Sequence, residues 1–421
     1  MLFDLTAWWP ALVFYGLFVY WIRDARLYSS LGFSRGNVVA IFTVKLLWCF
    51  AFAAFHWLWF HGGDTYTVFA ESAQVNRALH RDWRDFAALE FLPNRWYVLD
   101  SLYHYDPALR MYGNESTWLM VRLNALFYLV SFGSYPAHVV MFAFATLPAS
   151  LCLLRFMAVH TTVDPRWWYA ALLVFPGVAF WCNGMHKEAM LVSGAGFAFY
   201  ALTKARDKGW SATVVGLLSL GVVLMLSRAY MPLLLAPGML AVYFYARPVS
   251  ARAKAITVTG IGLVVAVALV RLTRNDFWNG ILVKQHAFAK LTDPNATRAV
   301  LRWSDMPHFL AAAFYHGFVS PVPFLDNFDI KDLPLLFSNA LLLALPLLTF
   351  RYFDRRRFIK LGMWFVWPAL LYFLIIGFMV PQAGAVSRYK APMVLFLIFG
   401  WICSLKPIGL LKLKSKQFLR N

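Results

Sequence analysis

Charged residues are scarce in this chain of 421 residues, at 14% of the sequence, against about 25% in soluble domains. That shortage excludes an ordinary soluble protein. Regular apolar–polar alternation over segments of about ten residues is missing too, which excludes a membrane β-barrel. Cysteine is rare. Cys49, Cys152, Cys182 and Cys403 lie within or at the ends of apolar blocks, no two of them at metal-ligand spacing, and no disulfide framework follows. A phosphate-cradling glycine loop, an HExxH pair and a nucleophile elbow are all lacking, which argues against ATP-driven chemistry. No internal repeat, low-complexity run or soluble-domain linker divides the chain, so residues 1–421 read as one transmembrane domain.

What is present is apolar: 61% hydrophobic and 18% aromatic residues. The apolar residues fall in blocks of about 16 to 22, the length of helix that crosses ~30 Å of hydrocarbon. The expected fold class is therefore all-α, a polytopic bundle of transmembrane helices. Eleven spans are expected, near 7–22, 38–60, 135–157, 167–182, 188–203, 211–227, 230–246, 255–271, 334–350, 361–379 and 391–405. The first block is followed by Trp21-Ile22-Arg23-Asp24, with no small-residue cleavage site, and reads as a retained span.

The formal net charge of +19 suggests nucleic acid at first sight. The positions of the charges favour membrane lipid as the partner instead. With the N-terminus outside and the C-terminus in the cytoplasm, the inner connections hold 21 of the 39 basic residues and only Asp24, Asp164, Asp207 and Asp354 among the acids. Such a skew in short loops sets orientation, and anionic lipid reinforces it. The block Trp118–Phe132 is ambiguous, because it is short and contains Arg122 and Asn124. Counted as a span, it puts the Lys204–Lys208 cluster outside. Counted as an interfacial helix, it keeps every later basic loop inside, and that reading is adopted. Two outer segments, 61–133 and 272–333, exceed what connection requires, and long ordered loops are usually functional.

The chemistry-bearing residues fall on the outer side. His61-Gly62-Gly63-Asp64-Thr65-Tyr66 follows the second span. Asp64 there is either a helix cap or a reactive carboxylate, and Glu71 falls on the same helical face two turns later. Phe175 to Glu188 forms a short hairpin with His186, Lys187 and Glu188 consecutive at a membrane boundary, where ionisable groups are costly unless paired or used. Arg228, in a tight outer turn, and Arg388, followed by Tyr389 and Lys390 at the start of the last span, sit where positive-inside bias does not place them. Arginine suits bidentate phosphate recognition; interfacial snorkelling is the bland alternative. Asp326, Asp329 and Asp332 match no calcium loop and read as a solvated approach to the next span.

In the position of Asp64 after a span and in Trp118-Leu119 to Phe132-Gly133-Ser134, the chain resembles bacterial members of the GT-C superfamily; in Phe175-Pro176, Phe180-Trp181, Gly184, Lys187-Glu188 and Ser387-Arg388-Tyr389 it resembles, more closely, bacterial membrane proteins near polysaccharide loci. GT-C enzymes are polytopic glycosyltransferases that use lipid-linked sugars. The resemblance implies a multi-pass inner-membrane enzyme whose active site faces the periplasm. It would transfer a sugar from a polyprenyl-phosphate-linked donor to a hydroxyl of a saccharide, lipid or protein acceptor, with inversion. It implies Asp64 as general base and Arg228, Arg388 and Lys187 on the donor phosphate. Glu71 and Glu188 become orienting acids, and His61, His186, Tyr389 and Lys390 further substrate contacts. Where the family carries an adjacent acidic pair, this chain has one Asp, which leaves a divalent metal, Mg or Mn, an open question. The alternatives are an O-antigen or exopolysaccharide polymerase or ligase, resting on arginines, and a lipid-linked saccharide transporter. A transporter is expected to carry ionisable residues in mid-span, and only Lys45 and His56 do so here.

Overall fold

A computed structural model describes residues 4–92, 109–161, 163–208, 210–226, 231–245, 306–322, 332–380 and 383–406, with a few isolated positions between. The expected span 255–271, Arg228, Asp326 and Asp329 lie outside the described residues. Among those described, helices make up nearly all of the structure, and Phe353 and Leu405 form an isolated antiparallel bridge. Among the described residues six helices are long and apolar enough to cross a membrane: Leu5–Asp24, Arg35–Phe60, Tyr135–His160, Leu333–Tyr352, Arg355–Met379 and Gly384–Cys403.

In chain order α1 covers Trp9–Asp24, α2 Arg26–Ser30, α3 Arg35–Phe60, α4 Gly63–Arg81 and α5 Trp83–Phe91. Then come α6 at Glu115–Ser131, α7 at Tyr135–His160, α8 at Pro165–Leu173, α9 at Pro176–Trp181 and α10 at Lys187–Lys208. The remainder are α11 (Trp210–Leu226), α12 (Met231–Tyr245), α13 (Met306–Phe314), α14 (Leu333–Thr349), α15 (Met363–Met379) and α16 (Ala383–Cys403). Helix α7 is the centre: 83% of its apolar window is buried, against 17% for the helices at Leu5–Asp24 and Leu333–Tyr352. The peripheral pair instead exposes side chains such as Leu12, Leu17, Leu347 and Leu348, as expected where lipid is the solvent.

The expected span 167–182 is not one helix. Phe175 precedes Pro176 and is extended (φ −64°, ψ 114°), because the proline ring disfavours the helical conformation of the residue before it. The chain therefore breaks into α8 and α9. Asn183 holds the break. Its amide donates to the carbonyls of Leu172 (3.1 Å) and Ala179 (2.9 Å), and its Oδ1 accepts from the buried Lys45 amine at 3.1 Å.

The ambiguous block is one helix, α6, of 17 residues, packed against α4. Its polar residues dock it. Arg122 donates to the carbonyls of Leu89 and Leu92. Asn124 Oδ1 accepts from His138 Nδ1 at 2.9 Å, while Ser131 Oγ meets His138 Nε2 at 2.8 Å.

The ends of the bundle differ. At the C-terminal end of α16, Asp354 N donates to Ser404 O (2.8 Å) and Arg357 to Leu405 O (3.1 Å), which places the Arg355–Arg357 cluster there. Arg388 lies near the opposite end of α16, 17 positions before Leu405, a helical rise of about 25 Å. The starts of α4, α7 and α10 gather at that second end, with Thr65 Oγ1 bonded to Tyr135 OH at 2.9 Å.

Candidate functional site

A tight turn delivers Asp64. Helix α3 ends at His61 in the left-handed region (φ 48°), followed by Gly62 (φ 136°) and Gly63 (φ 64°). Glycine carries no Cβ penalty in such conformations, and the chain reverses within three residues into α4. Gly62 is the N-cap and no side chain caps the helix. The Asp64 carboxylate stands in the first turn of α4. Two further contacts fix the turn: Tyr66 OH donates to Ala53 O at 3.1 Å and its ring stacks on Tyr135 at 4.5 Å.

Asp64 Oδ2 accepts from Arg388 Nη1 at 3.0 Å, and the same guanidinium turns its Nε to Glu188 Oε1 at 3.3 Å. His186 lies between the two acids: its Nε2 is 3.8 Å from Asp64 Oδ2 and its Nδ1 is in direct contact with Glu188 Oε2. Four side chains from α4, the α9–α10 turn, α10 and α16 thus close a ring. Side-chain exposure is 44% for Asp64, 19% for Arg388, 7% for His186 and 4% for Glu188, so Asp64 is the member open to a ligand. The His186 imidazole beside it, and then the Arg388 guanidinium, hold the Asp64 carboxyl well below the usual carboxylate range.

The hairpin places His186 and Glu188. Gly184 packs against Phe52, where an added Cβ would stand 2.4 Å from the ring. Trp181 Nε1 donates to Ser387 Oγ at 3.0 Å and Gly177 N to Ser338 Oγ at 2.8 Å, tying α9 to α16 and α14. Cys49 Sγ donates to Asn183 O at 2.6 Å.

Lys187 is beside the ring but outside it. Its Nζ is 3.5 Å from Ser116 Oγ on α6. It lines a small cleft of about 10 Å³ with Glu188, Tyr389 and Met231, room for about one water. Met231 follows Arg228 by three positions. Lys390 is fully turned away, since residues two apart on a helix do not share a face. Its amine donates to Asn339 Oδ1 at 2.9 Å and stands 4.9 Å from the Phe373 ring, on an apolar cavity of about 210 Å³ between α14, α15 and α16. Glu71 is buried on α4 and accepts Met111 N on both oxygens, at 3.0 and 3.1 Å; burial pushes its carboxyl up to about 7. His61 is exposed at the turn. Of the expected site residues, then, Asp64, His186, Glu188 and Arg388 converge. Lys187 and Tyr389 line the adjoining cleft, while Glu71 and Lys390 serve other contacts. Among the described residues no group of three or more His, Cys, Asp or Glu side chains is placed to hold a metal ion.

Sequence reasoning assigned no role to Lys45 and Asn183. An ionisable residue in mid-span is a signal, but its partner lies 138 positions away. Comparison with protein-family models, with curated proteins and with solved structures finds no match.

Proposed function

We propose that this chain is a membrane glycosyltransferase that moves a sugar from a polyprenyl-phosphate-linked donor to an acceptor hydroxyl at the membrane surface. The observation that carries the proposal is the exposed Asp64 carboxylate, fixed by Arg388 and His186 at the end of the bundle opposite the Arg355–Arg357 cluster. In this reading that end faces the periplasm and the bundle sits in the bacterial inner membrane. Asp64 takes the proton of the acceptor hydroxyl, whose oxygen attacks the anomeric carbon. The bond from that carbon to the phosphate oxygen breaks, and a single displacement inverts the centre. General-base assistance of this kind is worth about 10²–10⁴-fold. Lys187 and Tyr389, on the adjoining cleft, are placed for the phosphate, with Arg228 as a third candidate. Arg388 mainly sets the carboxylates, because both its Nη1 and its Nε are engaged by them.

The test is transfer from a panel of undecaprenyl-phosphate sugars by purified protein in nanodiscs, compared with Asp64→Asn. The variant is expected to bind donor as wild type does and to lose at least 100-fold in turnover. Full turnover by Asp64→Asn would instead fit a polymerase or ligase resting on arginines. Donor movement across the bilayer without transfer would fit a transporter.

A further inference from the structure

The apolar cavity between α14, α15 and α16 has a cause in the sequence. Each of these helices carries an interior proline: Pro346, Pro368 and Pro392. Proline removes a helical hydrogen bond and bends the helix, which accounts for a gap where straight helices would close. Leu342 and Leu345 of α14 and Val366 and Leu370 of α15 form its walls. Along α16 it runs from Lys390 to Trp401, a helical rise of about 16 Å. One leaflet of a bilayer supplies about 15 Å of hydrocarbon, half of the ~30 Å core.

The cavity suits a hydrocarbon chain better than water. A buried water takes two to four polar partners, and the polar groups on these walls are engaged with one another. Lys390 Nζ donates to Asn339 Oδ1 at 2.9 Å, the Asn339 amide donates to Ser320 O at 2.8 Å, and Trp401 Nε1 donates to Thr349 Oγ1 at 2.8 Å. An apolar cavity of about 150 Å³ already stays dry and takes an apolar guest, and this one holds about 210 Å³. Its wall reaches the lipid-facing surface at Leu343, which is 51% exposed.

The Trp401 end of the cavity meets the basic end of the bundle. The Trp401 ring stacks on Phe353 at 5.5 Å, and Phe353 also pairs with Phe350 and Phe358. Residues 350–360 hold five basic residues and one acid, Asp354. That acid accepts from Arg356 N at 2.9 Å and stands 3.9 Å from Arg357 Nε. Arg351, Arg355 and Arg356 are exposed, and so is Lys406, whose backbone N donates to Tyr352 O at 2.7 Å. Basic residues at a membrane surface attract anionic lipid, and guanidinium groups fit phosphate.

We infer that this is a binding site for an anionic phospholipid of the leaflet at the Arg355–Arg357 end. Its phosphate lies on Arg355 and Arg356, and one acyl chain enters the cavity past Trp401. Moving the chain out of the bilayer brings no hydrophobic gain, because lipid tails are as apolar as the walls. Contact with the walls and the charge of the headgroup hold it instead: a cavity wall without a guest forfeits its dispersion contacts on that side. The inference does not depend on the transfer reaction proposed above.

The test is native mass spectrometry of the full-length protein in detergent. Phosphatidylglycerol and phosphatidylcholine are compared, each with the same palmitoyl and oleoyl chains. Wild-type protein is expected to retain phosphatidylglycerol at least tenfold better. Arg355→Gln with Arg356→Gln should remove most of that preference. Arg23→Gln with Arg26→Gln takes two charges from another surface and should leave it intact. Equal retention of the two lipids by wild type, or an equal loss in both double variants, overturns the inference.

Filling the cavity tests the chain. Leu342→Phe and Leu370→Phe add volume from two different helices and keep every charge. Each is expected to lower phosphatidylglycerol retention at least fivefold while unfolding at or above the wild-type temperature. Either variant decides alone if the other does not fold. Unchanged retention in a folded variant overturns the placement of the acyl chain.

Discussion

Arg388 and Asp64 stand 324 positions apart in sequence and 3.0 Å apart in space, and the same guanidinium reaches Glu188 at 3.3 Å. The two contacts differ in energetic weight. Asp64 is 44% exposed, so water screens that half of the interaction. Glu188 is 4% exposed, and a buried charge that loses its partner is expensive. Arg388→Met is therefore expected to destabilise the protein by about 3 kcal/mol, mostly through Glu188. Glu188→Gln in the same background should recover more than half of that loss. Denaturant unfolding of the two single variants and the double variant completes the cycle. Additive losses would show that Arg388 and Glu188 do not depend on each other.

Glu71 is expected to make stability depend on pH. Burial raises its carboxyl from an ordinary 4.5 to about 7, against the opposing hydrogen bond from Met111. Below pH 4.5 both folded and unfolded states hold the proton. Between 4.5 and 7 only the folded state does, so stability falls as pH rises through that window and stays lowered above it. Glu90, also raised to about 7 by burial, adds a slope of the same sign. Glu71→Gln keeps an oxygen for Met111 N and carries no charge. It should unfold at a higher temperature than wild type at pH 8 and at the same temperature at pH 4. A variant no more stable than wild type at pH 8 would refute this account of Glu71.

Lys390 and Asn339 make a buried polar pair on the wall of an apolar cavity. Replacing such a group by an apolar side chain of similar volume is often neutral or stabilising, whereas removing its partner leaves it unsatisfied. Lys390→Met should leave the unfolding midpoint unchanged or raise it. Asn339→Ala should lower it, because Lys390 and Ser320 O both lose a partner. The reverse order would show that the amine itself stabilises the bundle.

Much of the architecture was legible because hydrocarbon thickness imposes a block length that composition reveals. The apolar runs ending at Phe60 and starting near Tyr135 appear in the structure as α3 and α7. The break at Phe175 was legible in principle, since a residue before proline leaves the helix, but the apolar run across it hid the signal. Asp64 was ambiguous between cap and reactive group, because spacing says nothing about where a carboxylate points. That depends on Arg388, brought in by packing of α16. Assigning Arg388 to the donor phosphate and Lys390 to a substrate contact did not anticipate that Arg388 meets two acids while Lys390 faces a cavity on the other side of the same helix. Two residues of separation decide that, once the segment is known to be helical from Ala383 onward.

Gly184 packs against Phe52, whose ring in turn stands 5.8 Å from the His186 ring. A Cβ at Gly184 would stand 2.4 to 2.8 Å from three atoms of the Phe52 ring. That ring is fully buried, 4.1 Å from the His56 ring and 5.8 Å from His186, so it has no open direction in which to move. Gly184→Ala is expected to cost about 1–3 kcal/mol, the usual range for overpacking, and to shift His186 relative to Glu188. Shortening the ring should relieve both effects. Phe52→Leu alone leaves a void and lowers stability, but in the Gly184→Ala background the added methyl fills part of it. The double variant should therefore be more stable than Gly184→Ala, with the His186 nitrogen-15 signals returning toward their wild-type positions. If the double variant is instead less stable than either single variant, Phe52 is not what makes glycine necessary at position 184.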